Sequence, residues 1–162
     1  MRDYQKYAVI MAFFAMMLYV ALVVAAFGMT SLFTNTDVVT EADAGPLVGP
    51  VMVTASAVVV LLFMVVIGMR TSPEKQHVAV AASLLSGLVA LVVFVVTGAL
   101  IYGVGVGEAV EIVLFAGARL ASPFSWAVGI IAAVVTLLYS VILASRVGEH
   151  GRPLWPWERR GE

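Results

Sequence analysis

Four long apolar runs constrain this chain more than any other feature. Residues 7–29, 47–69, 78–102 and 124–145 are predominantly apolar, and none has Asp, Glu, Lys, Arg or His in its middle. The hydrocarbon core of a bilayer is about 30 Å thick and needs about 20 apolar helical residues to cross it. A segment in lipid must satisfy its own backbone hydrogen bonds, which a helix does and an isolated strand does not. The sequence therefore predicts four transmembrane helices.

Composition indicates the same class. The 162 residues are 62% hydrophobic and 12% charged, with a mean hydropathy of +1.07, whereas soluble domains carry about 25% charged residues. The length suits one compact unit, so we expect a single transmembrane domain over residues 1–162. A cleaved signal peptide is the alternative for the first run, with a possible cleavage site at Ala25-Ala26. That run is longer than the roughly 7–15 apolar residues of a signal peptide.

Basic residues are sorted to one side of the predicted helices. All nine Lys and Arg except Arg119 lie before the first run, between the second and third runs, or after the fourth. Because positive residues stay on the cytoplasmic side, we expect both termini in the cytoplasm of a bacterial cell with the chain in the plasma membrane. Residues 70–77 form so short a connection that the second and third helices must be antiparallel neighbours. The predicted fold class is an all-α membrane protein, an antiparallel bundle of four transmembrane helices.

The connection 103–122 is the first candidate for a functional surface. It opens with Gly-Val-Gly-Val-Gly, which we expect to be a flexible joint. Glu108, Glu111 and Arg119 then fall on roughly one face if the segment is helical. This pattern predicts a short amphipathic helix, interfacial or re-entrant, between the third and fourth spans. We expect it to cover the bundle; the alternative is that the two carboxylates bind a cation or gate a cavity.

The basic segment 146–162 is the second candidate. Basic residues beside tryptophan suit an anionic lipid surface, so we expect a cytoplasmic membrane anchor. The alternative is a docking peptide for a cytoplasmic partner, and so short a basic cluster does not predict nucleic-acid binding. The residues concerned are Arg152, Trp155, Trp157, Arg159 and Arg160.

Other chemistry finds little support in the sequence. Cysteine is absent, which removes thiolate nucleophiles and Cys metal sites. His77 and His150 lie outside the middle of every predicted span, where a haem between helices would need its axial ligands. Asp37, Glu41 and Asp43 predict a solvated acidic loop, with weak cation binding as the alternative. We predict no cofactor, no metal site and no catalytic site.

The stretch Asp43-Ala-Gly-Pro-Leu-Val-Gly-Pro-Val-Met-Val53, at the entry to the second predicted helix, and the overall layout carry a resemblance. The chain resembles the small uncharacterised four-span proteins of GC-rich actinobacteria that are grouped as domains of unknown function. The resemblance implies a bacterial plasma membrane and no assigned activity. It therefore assigns no functional residue.

Three hypotheses about function remain. The first is a non-enzymatic accessory or scaffold subunit of a membrane complex, because the spans lack charge and carry small-residue faces such as Gly129-xxx-Ala133 that allow close helix contact. The second is a small homo-oligomeric channel or carrier with the polar residues of 103–122 at its outer mouth. The third, an intramembrane enzyme, has the least support because no nucleophile–base set is visible. The expected partners are the lipid bilayer and either another membrane-protein subunit or further copies of this chain.

Overall fold

The computed structural model describes residues 2–39, 45, 47–70, 78–106 and 109–147. That part of the chain is helical apart from short connections, and it contains no strand. The helices are α1 (Arg2–Thr34), α2 (Val48–Arg70), α3 (Val80–Val106), α4 (Ala109–Ala121) and α5 (Pro123–Val147).

Within the described part of the chain, four helices are long and apolar enough to cross a membrane. Their apolar stretches are Gln5–Thr34, Val48–Met69, Val80–Gly105 and Pro123–Ser145. The prediction of an all-helical chain with four such helices is confirmed. The first and third continue beyond their predicted ends at residues 29 and 102, and the short α4 occupies most of the predicted amphipathic connection.

Local chemistry explains where several helices begin and end. Asn35 follows the last residue of α1 with a φ of 52°, the left-handed conformation that commonly closes a helix and that Asn tolerates. Ser122 caps α5, because its hydroxyl accepts a hydrogen bond from the Phe124 backbone N–H at 3.4 Å. Pro123 takes the first position of α5, where its missing N–H leaves no bond unmade.

The four long helices contact one another in the order α1–α2–α3–α5–α1, and α2 also contacts α5; we call this set of four helices the ring. Helix α1 contacts α2 and α5, and α3 contacts the same two, while α4 packs mainly against α3. The hydroxyl of Tyr139 in α5 donates to the backbone carbonyl of Ala8 in α1 at 3.0 Å. At the other end, the rings of Phe27 in α1 and Phe124 in α5 lie 5.4 Å apart. Residue 8 of α1 therefore lies beside residue 139 of α5, and residue 27 of α1 lies beside residue 124 of α5.

The centre of the ring is apolar, with hydroxyl groups as its polar members. Tyr19 and Ser56 share a buried hydrogen bond of 3.0 Å between α1 and α2, and Ser86 and Thr136 share one of 3.1 Å between α3 and α5. Large apolar side chains also cover the outside of the ring: Phe14, Leu62, Leu84 and Ile130 are exposed by 57–68%. An apolar exterior of this kind suits lipid rather than water.

Candidate functional site at the α4 end

Polar side chains of α4 turn toward the other helices. We call this end of the molecule, where α1 and α3 end and α2 and α5 begin, the α4 end. Arg119 is only 5% exposed and Glu111 is half-buried, whereas Val113 and Leu114 are 70% and 66% exposed. Helix α4 is thus amphipathic with its apolar face outward, as a helix at a lipid surface requires.

Arg119 joins three segments of the chain. Its Nη1 donates a hydrogen bond to the backbone carbonyl of Val38, in the segment that follows α1. Its guanidinium carbon lies 5.2 Å from the centroid of the Phe115 ring, within the range of a cation–π contact. Its own backbone carbonyl accepts a 2.7 Å hydrogen bond from the Ser125 hydroxyl of α5. Such contacts compensate the burial of a charged group, so Arg119 fixes α4 against residues 38 and 125.

Glu111 contacts Tyr102, whose ring stacks on Phe115. The Tyr102 and Phe115 rings are stacked with centroids 4.8 Å apart and an interplanar angle of 16°. The Tyr102 hydroxyl donates to Glu111 Oε2 at 3.5 Å, a long and therefore weak hydrogen bond. These three residues, with Leu114 and Ala118, line a cavity of about 310 Å³. The structure thus places Glu111 and Arg119 at one end of the molecule, each in contact with an aromatic residue.

The start of the predicted amphipathic connection differs from expectation. Residues 103–106 form the last turn of α3, which corrects the expectation of a joint over that part; residue 107 lies outside the described residues. Helix α4 approaches α3 closely there, and a Cβ at Gly103 would meet the end of the Ile112 side chain of α4. Glycine at residue 103 therefore serves the close approach of α4 to α3 rather than flexibility.

A larger cleft at the same end was not predicted from the sequence. It has a volume of about 580 Å³ and lies between α1, α2 and the segment after α1. Among the described residues that line it, Asp37 is the one acidic or basic residue. The lining residues are Val20, Val24, Phe27, Asp37, Val38, Val39, Gly45, Gly49, Pro50, Val53 and Thr54. The sequence signal for it is Gly49 in the first turn of α2, since a residue without a side chain leaves space beside the helix.

Residues 1–162 match the Family of unknown function (DUF6121). The chain belongs to DUF6121. The expected resemblance to a family of unknown function is confirmed, and membership in DUF6121 carries no assigned activity. Neither a curated protein nor a solved structure matches the chain.

Several predicted site residues of this DUF6121 chain lie outside the described residues. They include Glu108 and the whole basic Trp segment, namely Arg152, Trp155, Trp157, Arg159 and Arg160. Their proposed roles stay predictions, as do those of Glu41 and Asp43. Within the described ranges, no group of three or more His, Cys, Asp or Glu residues is arranged to hold a metal ion.

Two buried tyrosines that connect helices were not predicted from the sequence. Tyr19 and Tyr139 are 0% and 1% exposed, and each donates or shares a hydrogen bond with another helix. A tyrosine inside an apolar run is a usable signal, because a hydroxyl at that depth needs a partner within the protein. Which partner it finds depends on helix rotation, which the sequence does not show.

Proposed function

We propose that this DUF6121 member is a multi-pass plasma-membrane protein that acts, without catalysis, as an accessory or scaffold subunit of a bacterial membrane complex. Its four long helices would cross the bilayer as an antiparallel bundle, with both termini in the cytoplasm. The contacts of Ala8 with Tyr139 and of Phe27 with Phe124 support the antiparallel order of α1 and α5. The distribution of Lys and Arg supports the sidedness.

The outward face of α1 is the observation that carries the accessory role. In the most apolar 18 residues of α1, 22% of the residues are buried by the rest of the protein, whereas 39–50% are buried in the corresponding stretches of the other three long helices. Ala21, Ala25 and Gly28 are exposed and fall on one side of α1. Small residues let helix backbones approach closely in lipid, and these three are not used inside the described bundle. A partner helix could therefore pack along α1 without displacing any other helix.

The test is co-purification at native expression level with a variant that blocks this face. We expect Ala21→Leu to lower the amount of stoichiometric membrane partner recovered in mild detergent. The matched control is Ala81→Leu, which makes the same change at an exposed position of α3 and should retain the partner. Recovery of the unmodified chain alone, or equal loss in both variants, would contradict the accessory role.

Topology is tested separately. A reporter active only in the cytoplasm, fused after residue 162, should be active, and one inserted after Asn35 should be inactive. The opposite pattern would reverse the proposed orientation but would leave the partner hypothesis standing.

A channel or carrier built from several copies is the second candidate. The half-buried Glu111 beside a cavity of about 310 Å³ at the α4 end favours it. A pore would have to form between copies, because apolar side chains and hydroxyls fill the described centre of the ring. Purified protein in vesicles should then pass small cations, and Glu111→Gln should reduce the flux. Vesicles that stay tight to common ions and small solutes exclude this function.

A further inference from the structure

The α1–α2 cleft has a firm apolar base. On the α1 side it runs from Val20 to Phe27, which is about 10 Å along a helix. The Phe27 ring is held by edge contacts with Phe94 at 5.9 Å and with Phe124 at 5.4 Å. The base of the cleft is therefore fixed by three helices and does not depend on an occupant for its shape.

The segment after α1 forms a second wall. Arg119 holds the backbone carbonyl of Val38, and the side chains of Val38 and Val39 line the cleft. Asp37 precedes them, lines the cleft and is exposed, so the apolar lining meets the surface at an acidic residue. An apolar cleft with an acidic residue at its surface edge suits a molecule with an apolar tail and a cationic head.

The cleft is too short for a partner helix. Toward the middle of the molecule, the hydrogen bond between Tyr19 and Ser56 joins α1 directly to α2 and closes the cleft. A transmembrane helix is about 10 Å wide and runs the full depth of the bilayer, so it could enter only at one end. A lipid tail is narrow, and part of its length fits an opening of about 10 Å.

We propose that the α1–α2 cleft binds a bilayer amphiphile, with its apolar tail between α1 and α2 and a protonated amine in its head group beside Asp37. The volume of about 580 Å³ lies within the range of about 300–1,000 Å³ that small-molecule sites occupy. The proposal requires that α1 and α2 lie in a membrane, but it does not require a partner subunit. Failure of the accessory role would leave it intact.

The test uses three probes with one tail and different heads: octadecylamine, octadecanol and octadecanoate. The full chain is purified in mild detergent, and retention of each probe is measured by native mass spectrometry. We expect the amine to be retained about threefold better than the alcohol, because an exposed ion pair contributes modestly, and the carboxylate to be retained least. Asp37→Asn should make amine and alcohol equal without changing retention of the alcohol.

A second pair of variants tests the position of the tail. A side chain at Gly49 would meet no atom within 4 Å, so Gly49→Leu should fill the cleft without strain and lower retention of the amine and the alcohol about tenfold. Gly117→Leu is the matched control, since Gly117 in α4 has equally open surroundings and does not line the cleft. It should leave retention unchanged.

Three results would overturn the proposal. They are equal retention of amine and alcohol by the unmodified chain, equal losses in the two glycine variants, and a dimer that disappears only in Gly49→Leu. The last result would identify a second copy of the chain as the occupant. The helical signal in circular dichroism checks the folding of each variant. Because Asp37 is exposed, Asp37→Asn should fold normally, so the head-group test remains valid even if Gly49→Leu fails to fold.

Discussion

The seam between α3 and α5 and the cleft between α1 and α2 are both formed by apolar helices with glycine at the contact. In the seam, a Cβ at Gly87 would lie 2.6 Å from the carbonyl oxygen of Gly129 and 2.8 Å from the Ala133 Cβ. In the cleft, a Cβ at Gly49 would meet nothing within 4 Å. The same residue type therefore marks the tightest contact in one region and an opening in the other.

The difference lies in what faces each glycine. Gly87 of α3 faces Gly129 and Ala133 of α5. Both helices therefore have small side chains at the same level, and their backbones come into contact. In the cleft, Gly49 of α2 shares the lining with Val20 and Val24 of α1. The small residue of α2 is therefore opposite larger side chains of α1. Close helix packing in lipid depends on small residues that meet, and a glycine without such a partner leaves space instead.

The largest expected effect separates the two regions directly. Gly87→Leu should destabilise the folded chain by about 3 kcal/mol, because the new side chain collides with the backbone of α5. Gly49→Leu makes the same substitution in open space and should cost far less. Thermal unfolding in detergent, followed by circular dichroism, measures both. Similar losses of stability would show that the cleft is as closed as the seam.

The next effect concerns the wall of the cleft. Arg119→Gln removes a charge-assisted hydrogen bond to the Val38 carbonyl, an interaction of a kind that contributes about 2 kcal/mol. Hydrogen–deuterium exchange should therefore rise in residues 35–39 and in α4, while α3 and α5 stay protected at residues 86 and 136. A uniform rise over the whole chain would mean that Arg119 supports the entire fold and not this end alone.

A smaller effect is expected where α1 meets α5, away from the cleft. Tyr139→Phe deletes the 3.0 Å hydrogen bond to the Ala8 carbonyl and should lower stability by about 1 kcal/mol. Tyr102→Phe is a suitable reference, because its bond to Glu111 is 3.5 Å long and should matter less. Equal unfolding temperatures for the two variants would contradict this order.

The smallest effect is within the seam. Ser86→Ala removes the 3.1 Å hydroxyl pair with Thr136, and hydrogen bonds between transmembrane helices average about 0.6 kcal/mol. If the variant unfolds as easily as Gly87→Leu, the hydroxyl pair rather than backbone proximity holds the seam together.

The helices could be predicted because each apolar run carries its own evidence. Length and the absence of charge suffice for residues 47–69 or 124–145, whatever the rest of the chain does. The inward side of α4 follows roughly from spacing too, since Glu111 and Arg119 are eight residues apart, a little over two turns, and so lie toward the same side of a helix. These inferences use only neighbours along the chain.

The cleft, and the hydrogen bond from Arg119 that holds one of its walls, could not be predicted in this way. Arg119 and Val38 are 81 residues apart, and Tyr19 and Ser56 are 37 residues apart. Which of them meet depends on how each helix is rotated about its axis, and the apolar runs are hydrophobic on all sides. Without a polar face to fix rotation, the sequence names the small residues but not the ones they oppose.

Helix α1 is longer than any of its neighbours, and this has a physical consequence. Its apolar stretch of 30 residues extends about 45 Å, whereas a hydrocarbon layer measures about 30 Å. Leu32 and Phe33, near its end, are 85% and 84% exposed. The surplus has to be accommodated by inclination or by local thickening of the lipid. A change in the thickness of the host membrane will therefore act on α1 more strongly than on α2 or α5, whose apolar stretches are 22 and 23 residues long.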